Sequence, residues 1–521
     1  MFGLQIRYLS FFFAIITVLS FFNIIYSYYL DLYLNLNTYY LSLLLSLAVS
    51  ILFYKIEIPD KKINIFKKIL TILLGYILLP LILSIPFYLS IYNLTFLDSF
   101  FESISGFTST GFTIFPNIKN IDQSLILWRS STQWLGGLYF LFSIIFLIDI
   151  YDENFKKTLT NFISFNSSEI LKQVTKIFLL YSSLTLFIFI VLNLFSIIFL
   201  IDIYDKNFKK TLTNFISFNN SEILKQVTKI FLLYSSLTLF IFIVLNFFSI
   251  RSFDSLNLAF TIISSGGFLP VDDLSNIIKD NTQIIVLSFL MLLSFFSIFF
   301  TYNLIFLRKK NINFFYEDIH LIIYFILIIA IFFLFFSFNN NFSINLLSVS
   351  SSVSNIGFSL NSNQPNLTFI FLILVIIGGS FFSTSSGLRF IKIYSLFKYS
   401  INQILSFSRP KNIFTNKLMF TKINFDFDEI NKYFLTVLIF VLSLLIFSSL
   451  LSLNGMEFES SFKLSILTLM NTVNSSIYGL EDFNFSNLHF FTKYSLIFFM
   501  IIGRIELLTI LLLFRKFLFK N

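Results

Sequence analysis

Apolar stretches of 18 residues or more recur from one end of the chain to the other, each long enough to cross about 30 Å of hydrocarbon as a helix. Bounded by charge, the apolar segments fall near 8–28, 39–54, 68–91, 124–150, 174–201, 230–250, 281–307, 319–338, 366–397, 433–452 and 491–518. A backbone placed in lipid must satisfy its own hydrogen bonds, so helices at this spacing predict an all-α polytopic membrane protein. Composition agrees: with 56% hydrophobic and 12% charged residues and a mean hydropathy of +0.85, the chain has too little polar surface to cover a water-soluble globule. The first segment is too long for a cleaved signal peptide, ends in bulky aromatics and lacks a small-residue cleavage site, so it is expected to stay as an anchor.

The formal charge of +9 does not point to nucleic acid, because Lys and Arg sit in short clusters between apolar segments and nowhere build a basic domain. Lys55, Lys61, Lys62, Lys67 and Lys68 fill one connection, Arg308, Lys309 and Lys310 another, and Arg515, Lys516 and Lys520 crowd the C-terminus. By the positive-inside rule these are expected on the cytoplasmic side. With no Cys and two His, disulfides and thiolate metal sites are excluded, and no cofactor is expected on this chain.

Four stretches of another kind lie between long helices: 97–113, 257–269, 344–360 and 458–479. They are rich in Gly, Ser, Thr and Asn, moderately apolar, and too short and polar to span. An exposed loop is the plain alternative. Each, however, carries a helix-like apolar pattern followed by a small-residue turn, and irregular backbone at membrane depth is tolerated only where protein or a water-filled path satisfies it. They are expected to be re-entrant loops. Aligned on their turns they read Ser109-Thr110-Gly111-Phe112, Ser265-Gly266-Gly267-Phe268, Asn355-Ile356-Gly357-Phe358 and Thr472-Val473-Asn474-Ser475. In this alignment the fourth has Asn where the others have Gly, and the whole is an internal repeat of helix, loop and helix.

A second repeat is nearly verbatim: residues 143–195 recur at 196–248 with three differences, Glu153 against Lys206, Ser167 against Asn220 and Leu194 against Phe247. This is a recent tandem duplication or an assembly artefact. Lys on both sides of the added segment favours the cytoplasm, so 174–201 is expected to enter and leave on one side or to lie along the interface, with 230–250 as the true outer helix of the second unit.

The runs FESISGFTSTGFT and LWRSSTQWLGG resemble the first pore loop and inner helix of the TrkH/KtrB family of potassium transporters, and IIGRIELLTILLLF is similar to that family's last inner helix. The resemblance implies four units of outer helix, pore loop and inner helix around one pore, behind an N-terminal two-helix hairpin. The expected organisation is 1–66 hairpin, 67–150 first unit, 151–203 duplicated insert, 204–310 second unit, 311–400 third unit, 401–432 cytoplasmic linker and 433–521 fourth unit. It further implies potassium uptake or symport in the cytoplasmic (inner) membrane, a homodimer in membrane lipid, and a cytoplasmic nucleotide-binding regulatory subunit, with no enzymatic activity.

Conduction of a dehydrated potassium ion needs backbone carbonyls turned toward an axis, and Gly reaches the required angles without strain. The candidate filter residues are Gly111, Gly267 and Gly357, with Thr110, Ser265 and Ile356 beside them, and Val473 and Asn474 in the fourth loop. Asn is the non-Gly residue that most readily turns left-handed, so Asn474 reads either as a degraded site or as a retained turn with relaxed selectivity. Within 376–387, Gly378, Gly379, Ser383, Thr384, Ser385 and Gly387 interrupt the inner helix of the third unit. They are either a kink with small residues for close packing or, as the resemblance implies, an intramembrane loop that gates the pore. Arg504, deep in the last span, either pairs with Glu506 or with backbone carbonyls or, as the resemblance implies, faces the pore below the filter. Arg129 is expected to partner Glu102 or pore-loop carbonyls, Trp128 and Trp134 to serve interfacial anchoring and packing, and Arg389 and Lys392 to snorkel. A sodium or mixed-cation pathway is the nearer alternative. A polytopic membrane enzyme would need a constellation of ionisable groups on an aqueous loop, and no segment supplies one.

Overall fold

The computed structural model describes residues 6–56, 65–147, 222–305, 316–336, 342–360, 367–408, 427–480, 483–505 and 509. The duplicated insert at 151–203, the expected re-entry at 174–201, most of the linker at 401–432, and Glu506 fall outside them.

Helices Arg7–Tyr29 and Leu36–Tyr54 form the N-terminal hairpin. Hydroxyls face inward: Thr17 pairs with Ser46 at 2.9 Å, Ser20 with Ser42 at 3.1 Å, and Ser50 donates to the Ser10 carbonyl. Small polar residues let the backbones approach and bond across the seam, while Leu41, Leu44, Leu47 and Leu52 of the second helix are exposed. Polar inside and leucine outside is the pattern of a surface that meets lipid. Among the described residues, six helices are long and apolar enough to cross a membrane. The chain is a multi-pass membrane protein.

Four further units follow. The first has an outer helix Ile65–Leu83 extended by Ile85–Tyr88, a short buried helix Phe96–Phe107 and an inner helix Gln123–Phe146. The second has Glu222–Phe247, Ser252–Ser264 and Asn281–Phe295 continued by Ile298–Ile305. In the third, Tyr316–Phe336 and Phe342–Val353 precede an inner helix split into Thr368–Ile376 and Phe390–Ser408. The fourth has Phe427–Leu453, Phe458–Leu469 and Phe490–Arg504. The inner helix of each unit packs on the short helix of the next, and that of the fourth packs on the short helix of the first, so the units close a ring in the order one, two, three, four.

Among the described residues, two inner helices are broken. The split in the third matches the glycine and hydroxyl run at 378–387. The second was expected to be continuous from 281 to 307, but it breaks at Phe296, which is extended at φ −78° and ψ 162°. No Gly or Pro causes this. Asp318 accepts the freed Ser297 N–H at 2.8 Å, and the Phe295 carbonyl accepts from Ser380 N. Tertiary partners opened this helix, satisfying the groups its ladder gave up.

Candidate functional site

The four short helices end in the same way. Each last turn closes on a left-handed residue, Ser109 (φ 58°), Ser265 (φ 56°), Asn355 (φ 61°) and Asn471 (φ 47°). The next N–H reaches back five residues in every case: Thr110 to Ser105, Gly266 to Thr261, Ile356 to Ser351 and Thr472 to Leu467, at 2.8–3.0 Å. This repeated bond sets the register of the four loops. Two residues beyond the left-handed turn stand Gly111, Gly267, Gly357 and Val473.

That register corrects the sequence alignment in two places. In the fourth loop Val473, not Asn474, occupies the glycine position, and Asn474 is the counterpart of Phe112, Phe268 and Phe358. In the second, the residue beside the glycine is Gly266, and Ser265 is the left-handed turn itself. Gly111 and Gly357 are both at φ 85°, a conformation that suits Gly, whereas Gly267 and Val473 are outside the left-handed region. Asn474 bonds instead to the Leu480 carbonyl at 3.1 Å.

Side chains at the turns join the loops into a ring. Ser265 donates to the Ser354 carbonyl, Asn355 Nδ2 to Thr472 Oγ1 at 3.3 Å, and Asn471 Nδ2 to Thr110 Oγ1 at 3.0 Å. The first and second units are joined through Gln133 of the first inner helix. With its amide turned to suit its neighbours, Gln133 accepts from Gly267 N at 3.0 Å and Phe268 N at 3.1 Å and donates to Thr261 Oγ1 at 3.1 Å. Ser105 and Thr261 hold the carbonyls of Phe112 and Phe268 at 2.6 and 3.0 Å. The fourth loop lacks both ends of this bond, having Leu467 and Asn474. Gln133 lies within the LWRSSTQWLGG run, but nothing in the sequence marks its role. The hydroxyl seven residues before each Phe was the signal that would have set the register.

Around the first loop, Arg129 and Glu102 form a buried ion pair at 2.8 Å, as expected. Glu102 also accepts from Ile114 N and Thr113 Oγ1, Arg129 donates to Thr113, and its guanidinium lies 4.2 Å above the Phe268 ring. Trp128 and Trp134 are buried and donate to the Leu83 carbonyl and to Thr238, so they pack and do not anchor at an interface.

Gly378, Gly379, Ser383, Thr384, Ser385 and Gly387 come together in one loop on the short-helix side of the ring. Ile377–Gly378 pairs in parallel with Leu388–Arg389, closing the loop at its neck. A Cβ on Gly379 would sit 2.2 Å from the Phe295 carbonyl, so the loop lies directly on the break in the second inner helix. Ser385 N donates to the Ser294 carbonyl, Ile298 N to the Phe382 carbonyl, and Thr384 Oγ1 to the Ile263 carbonyl at 2.7 Å, at the end of the second short helix. The Glu317 carboxylate accepts from Phe381 N and Ser380 Oγ at 3.1 Å. Arg389 is buried and donates to the Ser380 and Ser385 carbonyls and to Ser383 Oγ, which corrects the snorkelling expectation: its charge is spent inside the loop. Lys392 is buried as well.

Arg504 joins loop and ring. Its guanidinium donates to Ser386 Oγ in the loop, to Ser109 Oγ at 3.2 Å and to the Ser264 carbonyl at 3.3 Å, and stacks 4.1 Å from the Phe140 ring. Among the described residues no carboxylate pairs with it, and its Nε has no partner.

Four helix–loop–helix units closed in a ring, with a clamped loop and a buried arginine on one side of it, define a multi-pass helical membrane protein. More particularly, the fold is that of TrkH: the potassium transporter TrkH from Vibrio parahaemolyticus superposes with a TM-score of 0.71 at 17% identity, over 98% of either chain. In sequence the chain is 23% identical to an uncharacterized cation transporter of Methanocaldococcus jannaschii, over 94% of this chain and 91% of that one. It is 22% identical to the Trk system potassium uptake protein TrkH of Escherichia coli, over 81% and 79%. A 60-residue stretch is 42% identical to the potassium uptake protein TrkI of Halomonas elongata, covering 12% of this chain and 11% of that protein. No family model matches the chain. The resemblance drawn from the pore-loop and inner-helix motifs is borne out by these relatives, all of them transporters.

Proposed function

We propose that the chain conducts monovalent cations, with potassium as its substrate, through the ring formed by Thr110, Gly111, Gly266, Gly267, Ile356, Gly357, Thr472 and Val473. The observation that carries this reading is the fourfold register, in which four helices end on one axis in the same left-handed turn. A short helix directed at the axis, followed by backbone that leaves the helix, supplies carbonyl oxygens where an ion sheds its water. The names of the relatives support potassium as the ion. The loop 378–387 serves as the gate and Arg504 as its latch: loop and arginine both bind the feet of the filter turns, so an ion path through the ring meets them next. Potassium uptake by symport, a homodimer, a nucleotide-binding regulatory subunit and the inner membrane go with this reading and rest on the resemblance. A less selective monovalent-cation pathway is the second reading, favoured by Val473 where three units have Gly.

Expression in a bacterium lacking its own potassium uptake is the test. Growth at low external potassium supports the proposal. Failure to grow, with the protein inserted in the membrane at normal levels, overturns it.

A further inference from the structure

The side chain of Val473 meets Gly111, Gly267 and Gly357, the three residues that stand at its own position in the other loops. A Cβ built on Gly111 would lie 3.0 Å from Val473 Cβ, one on Gly267 2.3 Å from Val473 Cβ, and one on Gly357 2.6 Å from Val473 Cγ1. Gly111 and Gly357 belong to the units flanking the fourth. Gly267 does not. The order of packing around the ring puts the second unit diagonally across from the fourth, so a Val473 side chain in reach of Gly267 crosses the middle of the ring instead of lining one wall. The same packing draws the backbones together, since a Cβ on Gly111 would stand 2.8 Å from the Gly267 Cα.

From this we infer that Val473 is a hydrophobic plug at the level of the filter, a second barrier distinct from the loop and Arg504, and that it limits how fast the pathway conducts and what passes. The inference rests on the pore reading and deepens it. An ion stripped of water at this level gains no dipole from an isopropyl group, and a narrow apolar constriction sheds water as readily as it repels charge. Conduction then requires the side chain to leave the axis, a movement that a fourth glycine would make unnecessary. The site accepts only monovalent cations small enough to pass once it has moved.

The experiment uses the full chain in liposomes, with rubidium as tracer, comparing the parent with Val473→Gly, Val473→Ala and Val473→Ile, each also in an Arg504→Ser background so that the lower barrier does not mask the upper. The expected order is Gly above Ala above Val, with Ile no faster than Val, and Val473→Gly faster than the parent by about tenfold or more, equivalent to about 1.4 kcal/mol of barrier. A second readout does not depend on flux: the rise in melting temperature on replacing choline chloride by potassium chloride should be larger for Val473→Gly, because an opened ring binds the ion in the folded state only. If Val473→Gly proves unstable, Val473→Ala carries both measurements. Equal flux and equal potassium-dependent melting across the series, in both backgrounds, overturns the plug and leaves the pore standing. If no variant passes any cation in either background, the pore reading falls and the plug with it.

Discussion

Arg504 and Ser386 are hydrogen-bonded across the interior of the molecule, the last inner helix to the loop of the third unit. The same guanidinium reaches Ser109 and the Ser264 carbonyl, so one side chain ties the loop to the ends of two short helices. Hydrogen bonds to a charged group are worth about 1.5–3 kcal/mol each, so losing the tie should shift an open–closed equilibrium by about ten- to a hundredfold. Arg504→Gln is expected to raise rubidium flux in liposomes by about tenfold or more on that basis. Ser386→Ala should raise it less, since two of the three bonds remain. A flux that falls in both variants would show that the arginine supports conduction instead of restraining it.

Glu317 holds the other end of the loop. It accepts from both Phe381 N and Ser380 Oγ, and its neighbour Asp318 accepts Ser297 N in the broken helix beneath. The first turn of the third outer helix therefore carries the loop and the helix break together, and movement of that turn would be felt by the loop. Glu317→Gln keeps the shape while weakening the acceptor. It should raise flux by about three- to tenfold, less than the Arg504 change, because a neutral acceptor still takes a bond of about 1 kcal/mol. Cysteine labelling at position 384 in the same background should speed up as the loop is freed.

How much of this was legible follows from where the cause of each feature lies. The short helices, their turns and the loop at 378–387 are written in local chemistry: small and hydroxyl residues after an apolar run, and glycines where backbone must turn. The fourth register was misread because Asn474 mimics a glycine in an alignment of letters, whereas the bond from Thr472 N to the Leu467 carbonyl counts from the helix end. Nothing local marks the break at Phe296, since no Gly or Pro is present and the partners come from Asp318 and the loop. Arg389 read as a snorkelling residue, and the pairing of Gly378 with Arg389 at the neck of the loop instead sets it among the loop's own carbonyls. The duplicated segment at 151–203 lies outside the described residues.

The Glu102–Arg129 pair is a stability prediction. Both groups are buried, and Glu102 additionally holds Ile114 N in the segment just past the loop at 109–112. Removing one partner strands the other charge in a low-dielectric site, a loss of about 3–5 kcal/mol. Glu102→Ala should lower the melting temperature in detergent sharply and reduce the yield of inserted protein. The double change Glu102→Leu with Arg129→Met should recover much of that stability, because no unpaired charge is left.

Gly357 and Gly455 share an unusual backbone, φ 85° and 88°, but not an environment. A methyl on Gly357 would meet Val473 Cγ1 at 2.6 Å and the Val473 carbonyl at 2.7 Å, while one on Gly455 would meet nothing within 4 Å. Alanine at either position bears the left-handed cost of about 1–2 kcal/mol. Only Gly357→Ala adds a collision with Val473 in the ring. Gly455→Ala should melt slightly lower and conduct as the parent does, whereas Gly357→Ala should lose flux by about tenfold or more, as a barrier raised by about 1.4 kcal/mol requires. Similar flux for both would mean that the ring at Gly357 is not on the ion path.

Asn474 provides the test of register itself. If the fourth loop were aligned by its asparagine, Asn474→Gly would restore a four-glycine ring and sharpen the preference for potassium over sodium. In the structure Asn474 stands where the other units have Phe, and its amide ties down the Leu480 carbonyl. Asn474→Gly is therefore expected to leave the potassium-to-sodium flux ratio unchanged while loosening the 474–480 segment, visible as faster amide exchange there. A change in ratio from Asn474→Gly, with none from Val473→Gly, would reverse the assignment and put the asparagine at the filter.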